Sequence, residues 1–301
     1  MHKRLMAAFL FVYPSVGCGE RVKSGEGYEL SDVENEGESL NTDAGGIDES
    51  DDDEDTGDEA GGESEGGSDE NPVDRRTFAQ KLVVSMLMPG VFAPGDLQET
   101  LTISYFRVDW VRDGTDVTWT EELCHIRATE AHNTKTEFPA PFVATMPIRE
   151  NYGTLSAEEV GADFTVDTFI NIDGAELDSP ASEALPTSTG DSRLRDQDAD
   201  GKPGVTIHID APFGVSGDVY LAQRSRYSFD GRVIDHDRIE AYVEYRQDQS
   251  IVDASSAMLT IADITLTPNP DRTTSYVLFQ QVEDDITCSD IKRENDDLFE
   301  D

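Results

Sequence analysis

"LTISYFRVDWVRDGTDVTWTEELCHI", residues 101–126, is the stretch on which the fold turns. Its two runs, 101–110 and 116–126, are rich in β-branched and aromatic residues. They flank Asp113-Gly114, a dipeptide that closes tight hairpins because both residues tolerate a left-handed backbone. Asp230-Gly231 repeats the device between 218–229 and 238–246, and a second hairpin turn is expected there. In its second arm Ile239, Ala241, Val243 and Tyr245 alternate with Glu240, Tyr242 and Glu244, the period of a half-buried antiparallel strand.

Working outward, further strands are expected at 78–87, 142–146, 164–172, 205–209, 258–266 and 275–282. Helix is expected at 157–161 and in the tail 288–299, and a long loop at 173–204. Consecutive long hairpins predict an all-β fold, an antiparallel up-and-down barrel of about ten strands, because closure removes exposed edges. The meander is lipocalin-like, but no Gly-x-Trp motif marks the first strand, and that family is not claimed. A two-sheet β-sandwich is the alternative.

Composition sets the rest of the chain apart. The net charge is −41, and residues 20–74 hold 22 acidic and two basic side chains. Such a surface has nothing to neutralise phosphates, so no nucleic-acid partner is expected. The core of that segment, "DESDDDEDTGDEAGGESEGGSDENP", cannot bury enough apolar surface to offset its ordering entropy, and its charges repel. Residues 19–74 therefore read as a disordered acidic linker, about 40 Å end to end as a flexible coil and longer once charge extends it. Residues 75–301 read as one β-rich globular domain with enough chain for a core.

The first residues, "MHKRLMAAFLFVYPSVGCGE", place a basic start before nine apolar residues, too few to span a bilayer as a helix and suited to a signal peptide at 1–18. Gly17-Cys18 is lipobox-like, making Cys18 the expected lipidation residue, although Ser15 departs from that pattern. Three cysteines are present, Cys18, Cys124 and Cys288. With Cys18 lipidated and the chain exported, a Cys124–Cys288 disulfide is the economical pairing; two buried thiols are the alternative.

In "RDQDADGKPGVTIHID" (195–210), Asp196, Asp198 and Asp200 stand at alternate positions before Gly201, and the Lys202 carbonyl follows. These match the first, third, fifth and seventh ligand positions of a calcium loop, but Ile207 stands where the bidentate glutamate would be. A structural calcium held by Asp196, Asp198, Asp200 and Lys202 is expected, with Asp191 as a possible supplement; a solvated acidic turn is the alternative. No catalytic residues are assigned. "TGDSRL" (189–194) lacks the apolar strand that a lipase-like serine block needs, the histidines lack metal spacing, and "IDHDRIE" (234–240) reads as a charged hairpin arm. Aromatics on the two hairpins either fill a barrel or line a cavity within it.

The leader, the acidic tether and "DQDADGKPGVTI" (196–207) ahead of β-rich sequence together resemble uncharacterised lipoproteins of myxobacteria-like Gram-negative bacteria. So do "PDRTTSYVLFQ" and the "CSDIK" segment near the end. The resemblance is loose and brings no activity with it. The expected protein is a cell-envelope lipoprotein, outer-membrane-anchored through its lipid, whose non-enzymatic barrel binds a small apolar ligand or an envelope partner. A secreted hydrolase and a calcium-dependent adhesion module are the competing readings.

Overall fold

The computed structural model describes residues 73–90, 93–261 and 266–300; the expected signal peptide, Cys18 and nearly all of the linker lie outside the described residues. Among the described residues eleven strands form, all antiparallel in their pairings: β1 (Asp74–Gly90), β2 (Ala93–Asp113), β3 (Asp116–Ala128), β4 (Lys135–Glu137), β5 (Arg149–Leu155), β6 (Asp163–Asp173), β7 (Val205–Ala211), β8 (Val215–Asp235), β9 (Arg238–Ala254), β10 (Thr267–Pro268) and β11 (Tyr276–Val282). Three short helices accompany them, α1 (Ala140–Thr145), α2 (Ala257–Ile261) and α3 (Cys288–Glu294).

Eight strands close a ring in chain order, β1-β2-β3-β5-β6-β8-β9-β11, with β11 returning to β1 through the pairs Thr77↔Val282 to Val83↔Tyr276. The expected up-and-down barrel is therefore the fold, with eight wall strands. β4 and β7 pair with each other and hang from the start of β8, and β10 adds two residues to β1. Closure gives each strand of the ring a partner on both sides, although β5 and β6 share only two residue pairs, and strands as long as β2 and β8, 21 residues each, are thereby kept from being free edges.

The two ends of the barrel differ. Short turns join β2 to β3 and β8 to β9 at one end, and there the lumen is packed solid. Phe78, Trp110, Trp119, Phe164 and Phe279 pack into one aromatic plug, with Trp110 and Trp119 stacked at 5.6 Å and Phe279 at 5.7 Å from both Trp110 and Phe164. The long connections gather at the other end: α1 with β4, the loop 174–204 with β7, and α2.

Four sequence expectations are corrected. The run 142–146 is helical through Thr145: Pro141 occupies the first turn of α1, where a missing N–H costs nothing, and four apolar residues in five carry no usable period. The run 258–266 begins as α2, and residues 157–161 form a turn rather than a helix. Asp230-Gly231 is not a turn: it lies inside β8, and the chain reverses at 235–238. Gly231 is required by a close approach, since a Cβ there would stand 2.0 Å from the Glu240 carbonyl oxygen and 2.4 Å from Ala241 Cα on β9. Finally, β5 escapes hydrophobic patterning because its inward residues are Arg149, Asn151, Gly153 and Leu155, while Tyr152 points to solvent.

Outside the wall, α3 and the tail beyond it cover β1, β2 and β3. Cys124 forms the expected disulfide with Cys288, Cα atoms 4.8 Å apart. Cys124 faces the tail by the same alternation that turns Glu121 and Leu123 inward, and the register shift between Tyr105 and Phe106 opposite it resets the alternation so that Ile126 and Ala128 face the lumen.

Candidate functional site

Above the aromatic plug the lumen is hollow. A cavity of 880 Å³ opens toward the end with the long connections. Its walls alternate as a barrel must, so every second residue of β1 (Leu82, Val84, Met86, Met88) faces it. Phe106 on β2, Leu123 and Ile126 on β3, and Phe169 on β6 continue the apolar lining. Phe142 of α1, Ile207 of β7 and Leu259 of α2 line the mouth, so the connections form a partial cover.

The floor of this apolar chamber is polar. Gln80 follows Phe78 on the inward face of β1, and Glu121 follows Trp119 on that of β3; both line the cavity. Gln80 is fully buried and Glu121 nearly so. Neither Gln80 Oε1 nor Gln80 Nε2 has a hydrogen-bond partner, and the same holds for Trp119 Nε1 and Asn151 Nδ2. All three side chains flank Glu121, whose carboxyl is raised by burial against the pull of Arg149, Asn151, Trp119 and Gln80. Arg149 stands opposite Glu121 in the β3–β5 register, but its Nη2 donates to Asp173 Oδ1 at 2.5 Å.

One side of the floor is a closed ring of hydrogen bonds between β8 and β9. The Tyr245 hydroxyl donates to Gln247 Oε1 at 2.8 Å, Gln247 Nε2 to Gln223 Oε1 at 2.9 Å, and Gln223 Nε2 to Ser225 Oγ at 2.9 Å. Ser225 Oγ lies 3.3 Å from the Tyr245 hydroxyl. Burial pushes the Tyr227 phenol up to about 12 and that of Tyr245 well above its ordinary value, so both are neutral near pH 7.

The aspartate loop is built as a tight knot at the start of β7. Asp196 Oδ1 and Oδ2 accept the Asp200 and Gly201 N–H groups, Asp200 Oδ1 accepts that of Lys202, and Asp200 Oδ2 accepts the Thr206 hydroxyl. Asp198 Oδ2 accepts the Thr206 N–H at 2.7 Å, whereas Asp198 Oδ1, on a side chain 3% exposed, has no partner. One carboxylate oxygen from each aspartate lies within 4.8 Å of the others. Gly204 at φ +93 seats the loop on β8, where a Cβ would meet the Leu221 carbonyl oxygen at 2.3 Å. Asp191 does not join the cluster; its carboxylate is held by Arg193 through three hydrogen bonds, one from the backbone N–H and two from the guanidinium. Lys202 is exposed and sets its ammonium over the Tyr220 ring.

The histidines divide by place. His236 is in the β8–β9 turn, at the plugged end and away from the cavity. His125 stacks on Tyr105 under the tail. His208 Nδ1 meets Asp218 Oδ1 at 2.7 Å and its Nε2 lies 3.4 Å from Ser216 Oγ. This serine–histidine–aspartate chain is cross-strand and sits on the face of β7 and β8 opposite to Ile207 and Ile209, which face the cavity. Ser216 is exposed, so water rather than fixed donors would surround any charge developing there.

Sequence reasoning found the aspartate loop and the disulfide and missed the floor. The signal was nonetheless present: Phe78-x-Gln80-x-Leu82 and Trp119-x-Glu121-x-Leu123 each place one polar residue inside an apolar alternation. The features together define a closed eight-stranded barrel with one plugged end and an internal chamber. Comparison with known proteins finds no matching family model, no matching curated protein and no matching solved structure.

Proposed function

We propose that this protein is a non-enzymatic binding protein of the cell envelope, which holds a small, largely apolar molecule inside its barrel. The observation that carries the reading is the 880 Å³ chamber with apolar walls and a few convergent polar groups, the size and character of small-molecule sites. A barrel of this strand number is commonly filled by its own side chains; here half is filled and half is open. The lipobox-like leader ending at Cys18 and the acidic stretch 19–74 support a lipid anchor and a spacer that lets the barrel reach away from an outer-membrane surface. The cysteine pair supports an oxidising, exported setting.

The test is binding of a neutral apolar dye such as Nile red to the full-length protein. One dye per chain is expected, and a Ser104→Phe, Ala128→Phe double variant, which fills the lumen from β2 and β3, should lose the dye while melting no lower than the parent. Equal binding by both proteins would sink the reading.

Calcium at Asp196, Asp198 and Asp200 is the second part of the proposal, favoured by the buried, unpartnered Asp198 Oδ1 within a triple carboxylate cluster. Its role is structural: it would pin the loop 174–204 where that loop enters β7. Millimolar calcium should raise the melting temperature, by mass action on the native state, and Asp198→Asn should remove the shift. A melt indifferent to calcium and to chelator would leave a solvated turn.

A further inference from the structure

The floor of the chamber has a chemistry of its own. Five polar groups converge there from four strands, Gln80 from β1, Glu121 from β3, Arg149 and Asn151 from β5, and Asp173 from β6. Arg149 and Asp173 pair and cancel in charge, and the phenols of Tyr227 and Tyr245, from β8 and β9, stay neutral. That leaves the Glu121 carboxyl without a cation of its own on a nearly dry floor, since Arg149 acts on it only across its pairing with Asp173. An isolated buried carboxylate is costly, and a structure tolerates it where a partner arrives. The surrounding donors are arranged for the ionised form: Trp119 Nε1 and Asn151 Nδ2 flank it and have nothing else to donate to. The Gln80 amide oxygen adds a second acceptor without a partner.

We propose that this floor is a subsite for the ammonium head of a single-chain amphipathic amine, which enters tail-outward, sets its N–H donors on Glu121 and the Gln80 carbonyl oxygen, and lays its chain along Leu82, Val84 and Phe106. An ammonium supplies the missing positive charge and several donors at once, whereas an alcohol supplies one donor and a carboxylate adds repulsion. Burial raises the Glu121 carboxyl, and a cation beside it favours the charged form. The net charge of −41 works in the same direction by concentrating cationic amphiphiles around the protein. This inference rests on the lumen being a ligand site.

The molecule carries its own reporter, because both of its tryptophans, Trp110 and Trp119, are in the plug and Trp119 adjoins Glu121. Tryptophan emission of the full-length protein would be titrated at pH 7 with dodecylamine, dodecanol and dodecanoate, three probes that differ at the head alone. Dodecylamine should bind more tightly than dodecanol by at least about tenfold, as expected for a desolvated charge pair. Glu121→Gln should erase that advantage and leave dodecanol binding intact, which also shows that the variant has kept its lumen. The substitution alters one charge among many, so amine merely adsorbed to the acidic surface would be unaffected by it. Equal affinity for amine and alcohol, an advantage that survives Glu121→Gln, or tightest binding by dodecanoate overturns the amine subsite while the lumen still binds. Failure of all three probes overturns the ligand reading itself, and the subsite with it.

Discussion

Asp296 sits outside the barrel, where its carboxylate takes three donors from the wall. Lys81 Nζ donates at 2.6 Å and the Tyr105 hydroxyl at 2.7 Å to Oδ1, and Arg127 Nη2 donates at 2.9 Å to Oδ2. Burial works to raise this carboxyl, but the Lys81 and Tyr105 hydrogen bonds and the charges of Lys81 and Arg127 outweigh it and hold it below its ordinary value. A carboxyl depressed in the folded state stabilises above its unfolded value, and that contribution is lost as pH falls through the folded one. Asp296→Asn should therefore cost about 1–2 kcal/mol at pH 7, discounted because the side chain is 43% exposed. The gap between variant and parent should close in urea melts below about pH 4, near the unfolded carboxylate value. A gap that persists unchanged into acid would show that shape, not charge, holds the tail. None of this is legible at residue 296 in the sequence, where an aspartate among Glu294, Asn295 and Asp297 reads as plain acidic surface.

At the scale of elements, the C-terminal segment is the clearest case. α3 opens on a capping box, Thr287 Oγ1 accepting the Asp290 N–H and the Asp290 side chain returning to the Thr287 N–H. Ile291 is fully buried against the wall. The disulfide joins residues 164 apart in sequence, and farther on the Phe299 carbonyl accepts from Arg238. Cys288→Ser should lower stability by about 2–4 kcal/mol, the common range for a native bridge. The other anchors remain, so hydrogen exchange should quicken in 286–299 first and leave β1 to β3 protected. Uniform loss of protection would mean that the tail is an integral part of the wall. The tail helix and the cysteine pairing were readable in advance, the one from local sequence and the other by counting thiols. The helix α1 was not, since a short apolar run fits either element until its packing is known.

For the whole molecule the decisive division lies along the barrel axis, with aromatic packing at one end and a chamber at the other. Trp119 belongs to both, with its ring in the plug and its Nε1 beside Glu121. Trp119→Ala should cost about 3–5 kcal/mol, as for other buried large-to-small changes. A Met88→Ala change near the open mouth should cost less, because its removal enlarges a space that already exists. Chemical denaturation of the two variants compares the ends directly, and equal losses would deny the division.

Alternation along the chain determined that this protein is β-rich, antiparallel and able to close, because inward and outward residues differ in polarity and the Asp113-Gly114 turn is local. Counting cysteines made the bridge the economical pairing, and the aspartate spacing located the loop. Tertiary structure decided where the chain reverses near residue 236, since Gly231 answers to the neighbouring strand rather than to a turn. It also decided that Arg149, Asn151, Gln80 and Glu121 meet. They come from three strands, Gln80 on β1, Glu121 on β3 and the neighbours Arg149 and Asn151 on β5, and they interrupt the very pattern that reveals strands. Only closing the barrel brings them to one floor, where each loses water and gains a role.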